Sequence, residues 1–397
     1  MFIVAVLFIS SILYGYVGAR VIAPFDISGP GLFIFWTIIV IFAITPITGM
    51  MLRMRGSENF FNDIMLWVGF IGMGIFALAF VTFLVRDLGW ITGLFSIKLF
   101  SYFSGPDNHS FQMDPERRQF LLMSMNIGIV GFTSLLGGIG LFQATRRPSV
   151  VNKSIEIKTL PQRLSGLRIV QISDLHVGPT IKAGYVRTVV NQVNELKPDL
   201  IFFTGDMVDG SVDHLKNDVE PLRGLKAKYG KYFVTGNHEY YSGVERWVGK
   251  VAELGMIPLM NEHVILNIEG ESLAIAGVTD LMAHRVLKSH QSDLGKAVAG
   301  IPAGMPTIML AHQPGSADQT IGLNIDLMLC GHTHGGQFIP FNLALARIEK
   351  YSAGLYQHGD IQVYINRGTG YWGPPLRLGI PSEITLIELK AKQTNLS

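Results

Sequence analysis

The chain has 397 residues, of which 48% are hydrophobic and only 16% are charged, and its mean hydropathy is +0.34. Soluble globular proteins carry about 25% charged residues, so this composition argues against a disordered chain and against a wholly soluble one. The net charge of +2 provides no polybasic surface for a phosphate backbone, which disfavours general nucleic-acid binding.

Four long apolar stretches among the first 150 residues predict four transmembrane helices. None contains Asp, Glu, Lys or Arg, and a helix needs about 20 apolar residues to cross about 30 Å of hydrocarbon. A buried soluble helical bundle is the alternative, but these stretches are apolar on every face. The four stretches are residues 2–19, 31–52, 64–85 and 120–142.

Two features of this region leave alternatives open. The first stretch ends with the small residues Val17 and Ala19, as a cleaved signal peptide would, but it lacks a basic N-terminal region, so a span is favoured. Residues 89–103 form a fifth apolar stretch that is shorter and carries Lys98. An interfacial or re-entrant segment is predicted there rather than a fifth span.

The basic residues that flank the spans favour one membrane orientation. Four spans place both termini on the same side, and the tight basic pairs Arg53/Arg55 and Arg146/Arg147 lie on that side. Because cytoplasmic flanks are enriched in Lys and Arg, the C-terminal domain of this multi-pass cell-membrane protein is predicted to be cytoplasmic. The predicted division is a transmembrane region over 1–147, a linker over 148–153 and a catalytic domain over 154–397.

The C-terminal region alternates short β-rich runs with amphipathic stretches, which predicts a layered α/β domain. Each predicted strand is followed by residues with polar, chemically active side chains. Ligand sites in open α/β sheets lie beyond the carboxyl ends of the strands, so these side chains are candidates for a site. The predicted strands are 168–172, 200–204, 232–235, 307–310 and 326–329, and a helix is predicted at 183–196.

The loops after these strands carry carboxylates, imidazoles and one amide. This mixture of oxygen and nitrogen ligands suits Mn²⁺, Fe or Zn²⁺ better than Ca²⁺, and it is large enough for two metals that share one carboxylate. An isolated Asp-x-His or Gly-Asp is a weak signal, whereas a succession of such motifs after strands is specific. The motifs are Asp174-x-His176, Gly205-Asp206, Gly236-Asn237-His238-Glu239, His312 and Gly331-His332-x-His334.

On these motifs the chain resembles the calcineurin-like metallophosphoesterase family, whose pattern is D-x-H, G-D, G-N-H-[ED], H and G-H-x-H. The resemblance covers about residues 154–390 and looks greatest for membrane-anchored, bacterial-type members, which share the segment found here at residues 366–375. It implies an α/β fold, a four-layer sandwich of two mixed β-sheets flanked by helices. The all-α transmembrane region of four helices would precede this sandwich.

The resemblance also implies a role for each site residue. Asp206 would bridge two divalent metal ions, and His238 would be a catalytic residue near the leaving-group oxygen. Asp209 matches the second acid of a G-D-x-x-D variant and would orient His238. The first metal would be bound by Asp174, His176, Asp206 and His334, and the second by Asp206, Asn237, His312 and His332.

The implied activity is hydrolysis of a phosphoester or pyrophosphate bond by attack of a metal-bound hydroxide. Apolar residues within 338–356, together with Trp372, favour a membrane lipid or lipid-linked phosphate as the substrate, and a soluble phosphodiester is the alternative. The rival interpretation is a membrane receptor or scaffold whose metallophosphoesterase domain only binds. The intact ligand motifs favour the enzyme.

Overall fold

A computed structural model describes residues 2–25, 27–104 and 114–392 of the chain. Two compact units are present, Met1–Leu141 and Phe142–Ser397. The first unit is helical and contains the apolar stretches, whereas the second contains the strands that the structure describes and all of the candidate metal motifs. The predicted roles of the two parts, a transmembrane region and a catalytic domain, remain predictions.

Four apolar helices make up the described part of the N-terminal region. Three of them contain segments long and apolar enough to cross a membrane, namely Gly29–Arg53, Phe60–Phe103 and Pro115–Thr145, and Leu7–Ile22 is a shorter apolar segment. The membrane character of this region therefore agrees with the sequence, while the number of spans remains a prediction. The helices are α1 (Phe2–Ile22), α2 (Gly29–Met54), α3 (Phe60–Ser104) and α4 (Pro115–Thr145).

Helix α3 differs from its sequence prediction. Residues 89–103, predicted as a separate interfacial or re-entrant segment, continue the helix that contains the predicted span 64–85. The charged residues Arg86 and Asp87 end the apolar stretch but not the helix, because they pair with each other at 2.6 Å and no proline interrupts the backbone. Residues 89–103 are therefore a continuation of α3 rather than a separate segment.

Charged pairs lie at both ends of the apolar part of α3. Near its start Arg53 contacts Asp63 at 2.8 Å, and farther along Arg20 contacts Asp87 at 2.7 Å. The 24 residues from Asp63 to Asp87 extend about 36 Å along a helix, slightly more than the hydrocarbon thickness of a bilayer. This spacing is what a spanning segment with charged residues at both interfaces requires.

Two six-stranded sheets form the centre of the second unit, in the orders β1-β12-β2-β3-β4-β5 and β10-β11-β9-β8-β7-β6. Each sheet mixes parallel and antiparallel pairs. The strands are β1 (Ser149–Ile157), β2 (Arg168–Ile172), β3 (Leu200–Phe203), β4 (Lys231–Phe233), β5 (Ile257–Pro258), β6 (Glu262–Ile268), β7 (Glu271–Gly277), β8 (Thr307–Leu310), β9 (Leu327–Cys330), β10 (Gly354–His358), β11 (Ile361–Ile365) and β12 (Glu383–Ala391).

The alternation of side chains along the strands produces the layers. Ile169 and Phe202 belong to an apolar core that both sheets share, so the sheets pack face to face. Their neighbours Val170 and Phe203 point to the other side of the first sheet, into a core shared with helices. A third core covers the outer face of the second sheet. The predicted four-layer sandwich is confirmed.

Short helices cover the outer faces of the two sheets. Buried residues of α5, α6 and α8 lie in the core outside the first sheet, and buried residues of α9 lie outside the second. The helices are α5 (Ala183–Glu195), α6 (Val212–Val219), α7 (Asn237–Tyr241), α8 (Val244–Glu253), α9 (Leu294–Val298) and α10 (Phe341–Ile348).

The predicted linker at 148–153 is a second correction. Residues from Ser149 onward form strand β1, which pairs in parallel with β12. The β-branched Val150 and Val151 suit a strand, and edge pairing tolerates the polar residues beside them. The segment that leaves α4 therefore enters the first sheet almost at once.

Candidate metal centre

The motif loops meet at the carboxyl ends of the parallel strands, where their backbones are hydrogen-bonded to one another. The N–H of Asp174 donates to the carbonyl of Gly205 at 2.9 Å, and the N–H of His176 donates to that of Asp206 at 3.1 Å. The N–H of His332 donates to the Asp174 carboxylate at 3.0 Å. Loops from both sheets therefore enclose one site.

The predicted ligands form two groups that share Asp206. In the first, His176 Nε2 lies 3.1 Å from His334 Nε2 and 3.8 Å from Asp206 Oδ2. Asp174 Oδ1 completes this group, 3.5 Å from His334 Nε2. These separations match ligand atoms arranged around one cation, since metal–nitrogen distances are about 2.0 to 2.1 Å for zinc.

The second group includes the same carboxylate oxygen, Asp206 Oδ2. Asp206 Oδ2 is 3.0 Å from His312 Nε2, which is 3.2 Å from His332 Nδ1. Asp206, His312 and His332 each present a ligand atom to a common point. Asp206 therefore lies within ligand range of His176 as well as of His312 and His332, and its bridging role stays a prediction.

The amide of Asn237 provides an independent test of whether the residues fit metal ions. Its Oδ1 atom is buried and has no hydrogen-bond partner among the described residues. A buried acceptor without a partner costs about 1 to 3 kcal/mol, a cost that a metal ligand does not incur once the ion is bound. The donor set, with this amide oxygen available, fits two divalent cations.

The electrostatics of the site favour the metal-binding forms of three of its ligands, whereas the Asp206 carboxylate raises the pKa of a fourth, His312, despite its burial. Burial alone would raise the pKa of Asp206, but His312 and His238 lower it well below its ordinary value. Burial and the charge of His312 lower the pKa of His332 to about 4. Burial and the Arg377 guanidinium lower the pKa of His334 well below its usual range. At neutral pH these three residues offer a carboxylate and unprotonated imidazoles, which are the forms that bind metals.

The backbone around the ligands adopts conformations that side chains rarely tolerate. Positive φ angles of 50° to 74° occur at five of the predicted ligands. A Cβ atom at Gly236 would overlap Asp206 Oδ1, and one at Gly331 would overlap Asp174 Oδ2, so both motif glycines are needed for close approach. Such strain is typical of functional sites. The five ligands are Asp174, His176, Asp206, His332 and His334.

The carboxylate of Asp209 contacts two imidazoles, whereas the sequence predicted a contact with only one. Its Oδ2 accepts a hydrogen bond from Nδ1 of His176 at 3.1 Å, and its Oδ1 accepts one from Nδ1 of His238. Both contacts leave the Nε2 atom of the imidazole directed at the centre, and Nε2 of His238 is 3.9 Å from Asp206 Oδ2. Asp209 is therefore placed to orient a ligand as well as His238.

We expect Asp209→Asn to weaken metal binding as well as turnover, because His176 loses its carboxylate partner. Loss of such an outer partner typically lowers metal affinity by about 10- to 100-fold. Titration of metal-free protein with Mn²⁺ or Zn²⁺ measures the affinity, and Asp318→Asn, which changes an exposed carboxylate, is the matched control. Unchanged metal affinity in Asp209→Asn would show that Asp209 serves only His238.

His238 lies at the open side of the centre. Its side chain is 15% exposed, and its ring is 5.4 Å from that of Tyr241 and 5.6 Å from that of Trp372. Burial alone would lower the pKa of His238, but Asp206 and Asp209 raise it to about 10. His238 also lies within ligand range of His176 and Asp206.

Comparison with known proteins identifies the family. A model of the calcineurin-like phosphoesterase family matches residues 167–336. A metallophosphoesterase of Helicobacter pylori strain J99 is 35% identical over 312 residues, which cover 77% of this chain and 80% of that protein. The chain belongs to the calcineurin-like phosphoesterase family.

Relatives of this calcineurin-like phosphoesterase include membrane and bacterial proteins. A transmembrane protein with metallophosphoesterase domain from Danio rerio is 39% identical over 267 residues, 65% of this chain and 61% of that relative. A Bacillus subtilis metallophosphoesterase is 31% identical over 285 residues, 69% of this chain and 98% of that protein. The chain thus spans about three fifths of the length of the vertebrate relative. The family resemblance predicted from the motifs is confirmed.

Two buried charged residues support the metallophosphoesterase site, and the sequence analysis assigned neither a role. Glu239 accepts hydrogen bonds from the backbone N–H groups of Asp206 at 2.9 Å, Met207 at 2.7 Å and Gly236 at 2.7 Å. It therefore joins two ligand loops. Because Glu239 is the last residue of the Gly-Asn-His-Glu motif, the sequence could have indicated that it belongs to the site.

Arg377 is the second of these residues, and it is fully buried. It donates to Nδ1 of His334 at 3.0 Å and to the carbonyl oxygen of the same residue at 3.1 Å. No motif marks Arg377 in the sequence. Its contact with a ligand arises only when the C-terminal segment folds back onto the site.

The segment at residues 366–375, which the sequence analysis linked to membrane-anchored family members, lies directly behind the first motif. The N–H of Thr369 donates to the carbonyl of Ser173 at 2.7 Å, and the N–H of Gly370 donates to that of Asp174 at 3.0 Å. These bonds help to hold Asp174 in its left-handed conformation. The C-terminal segment is thus part of the framework of the metal centre.

Proposed function

We propose that this chain is a membrane-anchored phosphoesterase that uses two divalent metal ions to hydrolyse a phosphoester or pyrophosphate bond. The observation that carries the proposal is the position of Asp206, whose carboxylate lies within ligand range both of His176 and of the pair His312 and His332. The unpartnered Oδ1 of Asn237 supports the second group. The proposed ligands are Asp174, His176, Asp206 and His334 for one ion, and Asp206, Asn237, His312 and His332 for the other.

The chemistry follows from these positions. Two bound cations, of Mn, Zn or Fe, would neutralise the charge of the phosphoryl group and activate a water molecule for attack. Asp209 holds the His238 imidazole by its Nδ1 atom, and His238 donates a proton from Nε2 to the departing oxygen. Tyr241 and Trp372 flank this imidazole, so they border the place where the leaving group departs.

A membrane lipid or lipid-linked phosphate is the proposed substrate class. Apolar helices long enough to span a bilayer belong to the same chain as the metal centre. Two exposed apolar residues lie near the site: Ile339 is five residues from His334 in the sequence, and the Trp372 ring is 5.6 Å from that of His238. In this proposal the chain crosses the cell membrane four times and the catalytic domain, which includes β1, lies on the cytoplasmic side.

The test compares the full chain in liposomes with a truncated protein that starts at residue 142, since β1 begins at Ser149 and Ala144 packs in the core of the second unit. We expect equal turnover of a soluble aryl phosphodiester, because every proposed ligand remains. Turnover of a lipid phosphate in the bilayer is expected to fall on truncation, since tethering raises the effective concentration of enzyme at the surface.

Two results would contradict this proposal. Loss of soluble-ester hydrolysis in a truncated protein that is folded and loaded with metal would make the membrane region part of the active site. Equal turnover of the bilayer substrate by both proteins would remove the reason for a lipid-linked substrate and favour a soluble phosphodiester.

A further inference from the structure

Helix α10 is apolar and exposed. It follows the last metal motif, and none of its residues is buried within the part of the chain that the structure describes. Apart from Asn342 and Arg347, its residues from Phe341 to Ile348 are apolar. Isolated helices shorter than about 12 residues are marginal in water, so α10 depends on contacts with its surroundings. The sequence and exposure of α10 therefore favour contact with an apolar surface.

The exposed apolar residues at and beside α10 form what we call the rim patch: Ile339, Phe341, Leu343, Ile348 and Trp372, which are 39% to 80% exposed. Two contacts hold its parts together. The side-chain amide of Gln337 donates to the carbonyl of Trp372 at 3.0 Å, and the N–H of Ile339 donates to the carbonyl of Leu378 at 3.0 Å. The residues that lead into α10 therefore lie beside the segment that contains Trp372.

The rim patch borders the metal centre. The Trp372 ring is 5.6 Å from the ring of His238, and Gln337, which holds the Trp372 segment, is three residues from His334. Whatever surface the patch contacts is therefore close to the position of the departing oxygen. The rim patch is therefore both exposed and next to the proposed active site, as an interaction surface that serves this site would be.

We propose that the rim patch inserts into the boundary between headgroups and acyl chains of the bilayer in which the N-terminal helices lie. Only three residues separate the end of α4 at Thr145 from the start of β1 at Ser149, and they span at most about 10 Å. The catalytic domain is thus kept at the membrane surface. A mixture of aliphatic side chains, one Trp and an exposed Arg347 is typical of interfacial helices.

This inference goes beyond the proposed function, because it requires membrane anchoring but no particular substrate. Its consequence is geometric. Insertion of the patch would hold the opening beside His238 at the level of lipid headgroups, where a phosphate of a membrane lipid lies.

The test uses the full chain in liposomes of equal parts phosphatidylcholine and phosphatidylglycerol. Leu343→Cys is labelled with an environment-sensitive fluorophore, and the native Cys330 is buried and does not compete for the label. Ile265→Cys, on β6 at the opposite edge of the second sheet from β10, is the matched control at an exposed apolar position. Spin-labelled phosphatidylcholine in the liposomes is the quencher.

We expect the label at position 343 to shift to shorter wavelength and to lose most of its emission to the lipid quencher, while the label at position 265 keeps its emission. Equal responses at both positions would overturn the proposal. A shift at position 343 without lipid quenching would also overturn it, because a second copy or another protein would then cover the patch. Lipid quenching does not depend on catalysis. The experiment therefore tests insertion of the rim patch independently of the proposed enzymatic function.

A second variant links insertion to activity. Leu343→Glu combined with Ile348→Glu is expected to lower hydrolysis of a lipid phosphate in these liposomes severalfold and to leave hydrolysis of a soluble aryl phosphodiester unchanged. Both residues are exposed, so the substitutions leave the core intact. Unchanged hydrolysis of the lipid phosphate, in a preparation that hydrolyses it, would contradict a role of the patch in presenting the substrate.

Discussion

Asp206→Asn is expected to remove nearly all activity and to lower the binding of both metal ions. The reason is that one carboxylate lies in both ligand groups, 3.0 Å from His312 Nε2 and 3.8 Å from His176 Nε2. An amide keeps the shape but loses the negative charge that two cations share. Removal of a hydrogen-bond partner of a metal ligand typically lowers metal affinity by roughly 10- to 100-fold. The loss of metal affinity in Asp206→Asn should be larger, because the ligand itself is changed.

Metal analysis and steady-state hydrolysis of an aryl phosphodiester measure the two effects of Asp206→Asn. Asp213→Asn is the matched control, since Asp213 is an exposed carboxylate that pairs with Arg246. An Asp206→Asn protein that keeps two ions per chain would show that this carboxylate does not bridge them.

His238→Ala should have a different effect, with metal retained and turnover lowered. Its Nδ1 atom is bound to Asp209, and its ring is at the exposed side of the site beside Trp372. A general acid contributes about 10²- to 10⁴-fold, so we expect a loss of that order with substrates whose leaving groups need protonation. The loss should be smallest for esters with good leaving groups.

The dependence on the leaving group distinguishes a proton donor from a ligand. A series of aryl phosphodiesters with leaving groups of increasing basicity is the assay, and His284→Ala, which changes an exposed histidine, is the control. If His238→Ala loses metal to the same extent as Asp206→Asn, then His238 is a ligand, as its distance from His176 and Asp206 would allow.

Much of the site could be predicted from the sequence because the information is local. Each ligand lies within a few residues of the end of a short apolar strand, and parallel strands bring their carboxyl ends together. The predicted strand 168–172 matches β2, and 307–310 matches β8. The chemistry of the residue types then limits the metals that fit.

The parts that sequence reasoning missed depend on tertiary contacts. Arg377 contacts His334 only because the C-terminal segment folds back onto the site, and no local sequence pattern indicates this contact. The contact between Asp209 and His176 likewise depends on how two separate loops pack together. The linker prediction failed because the partner of β1 is β12, more than two hundred residues later in the chain.

The most direct measurement is the metal content and activity of the full chain before chelation, after chelation and after addition of Mn²⁺ or Zn²⁺. We predict that the chelated protein stays folded and is inactive toward an aryl phosphodiester, and that activity returns as two ions bind per chain. The ligands from both sheets are in place in the fold, so recovery should need no refolding. Full activity after exhaustive chelation, or full recovery with a single ion per chain, would contradict a two-metal phosphoesterase.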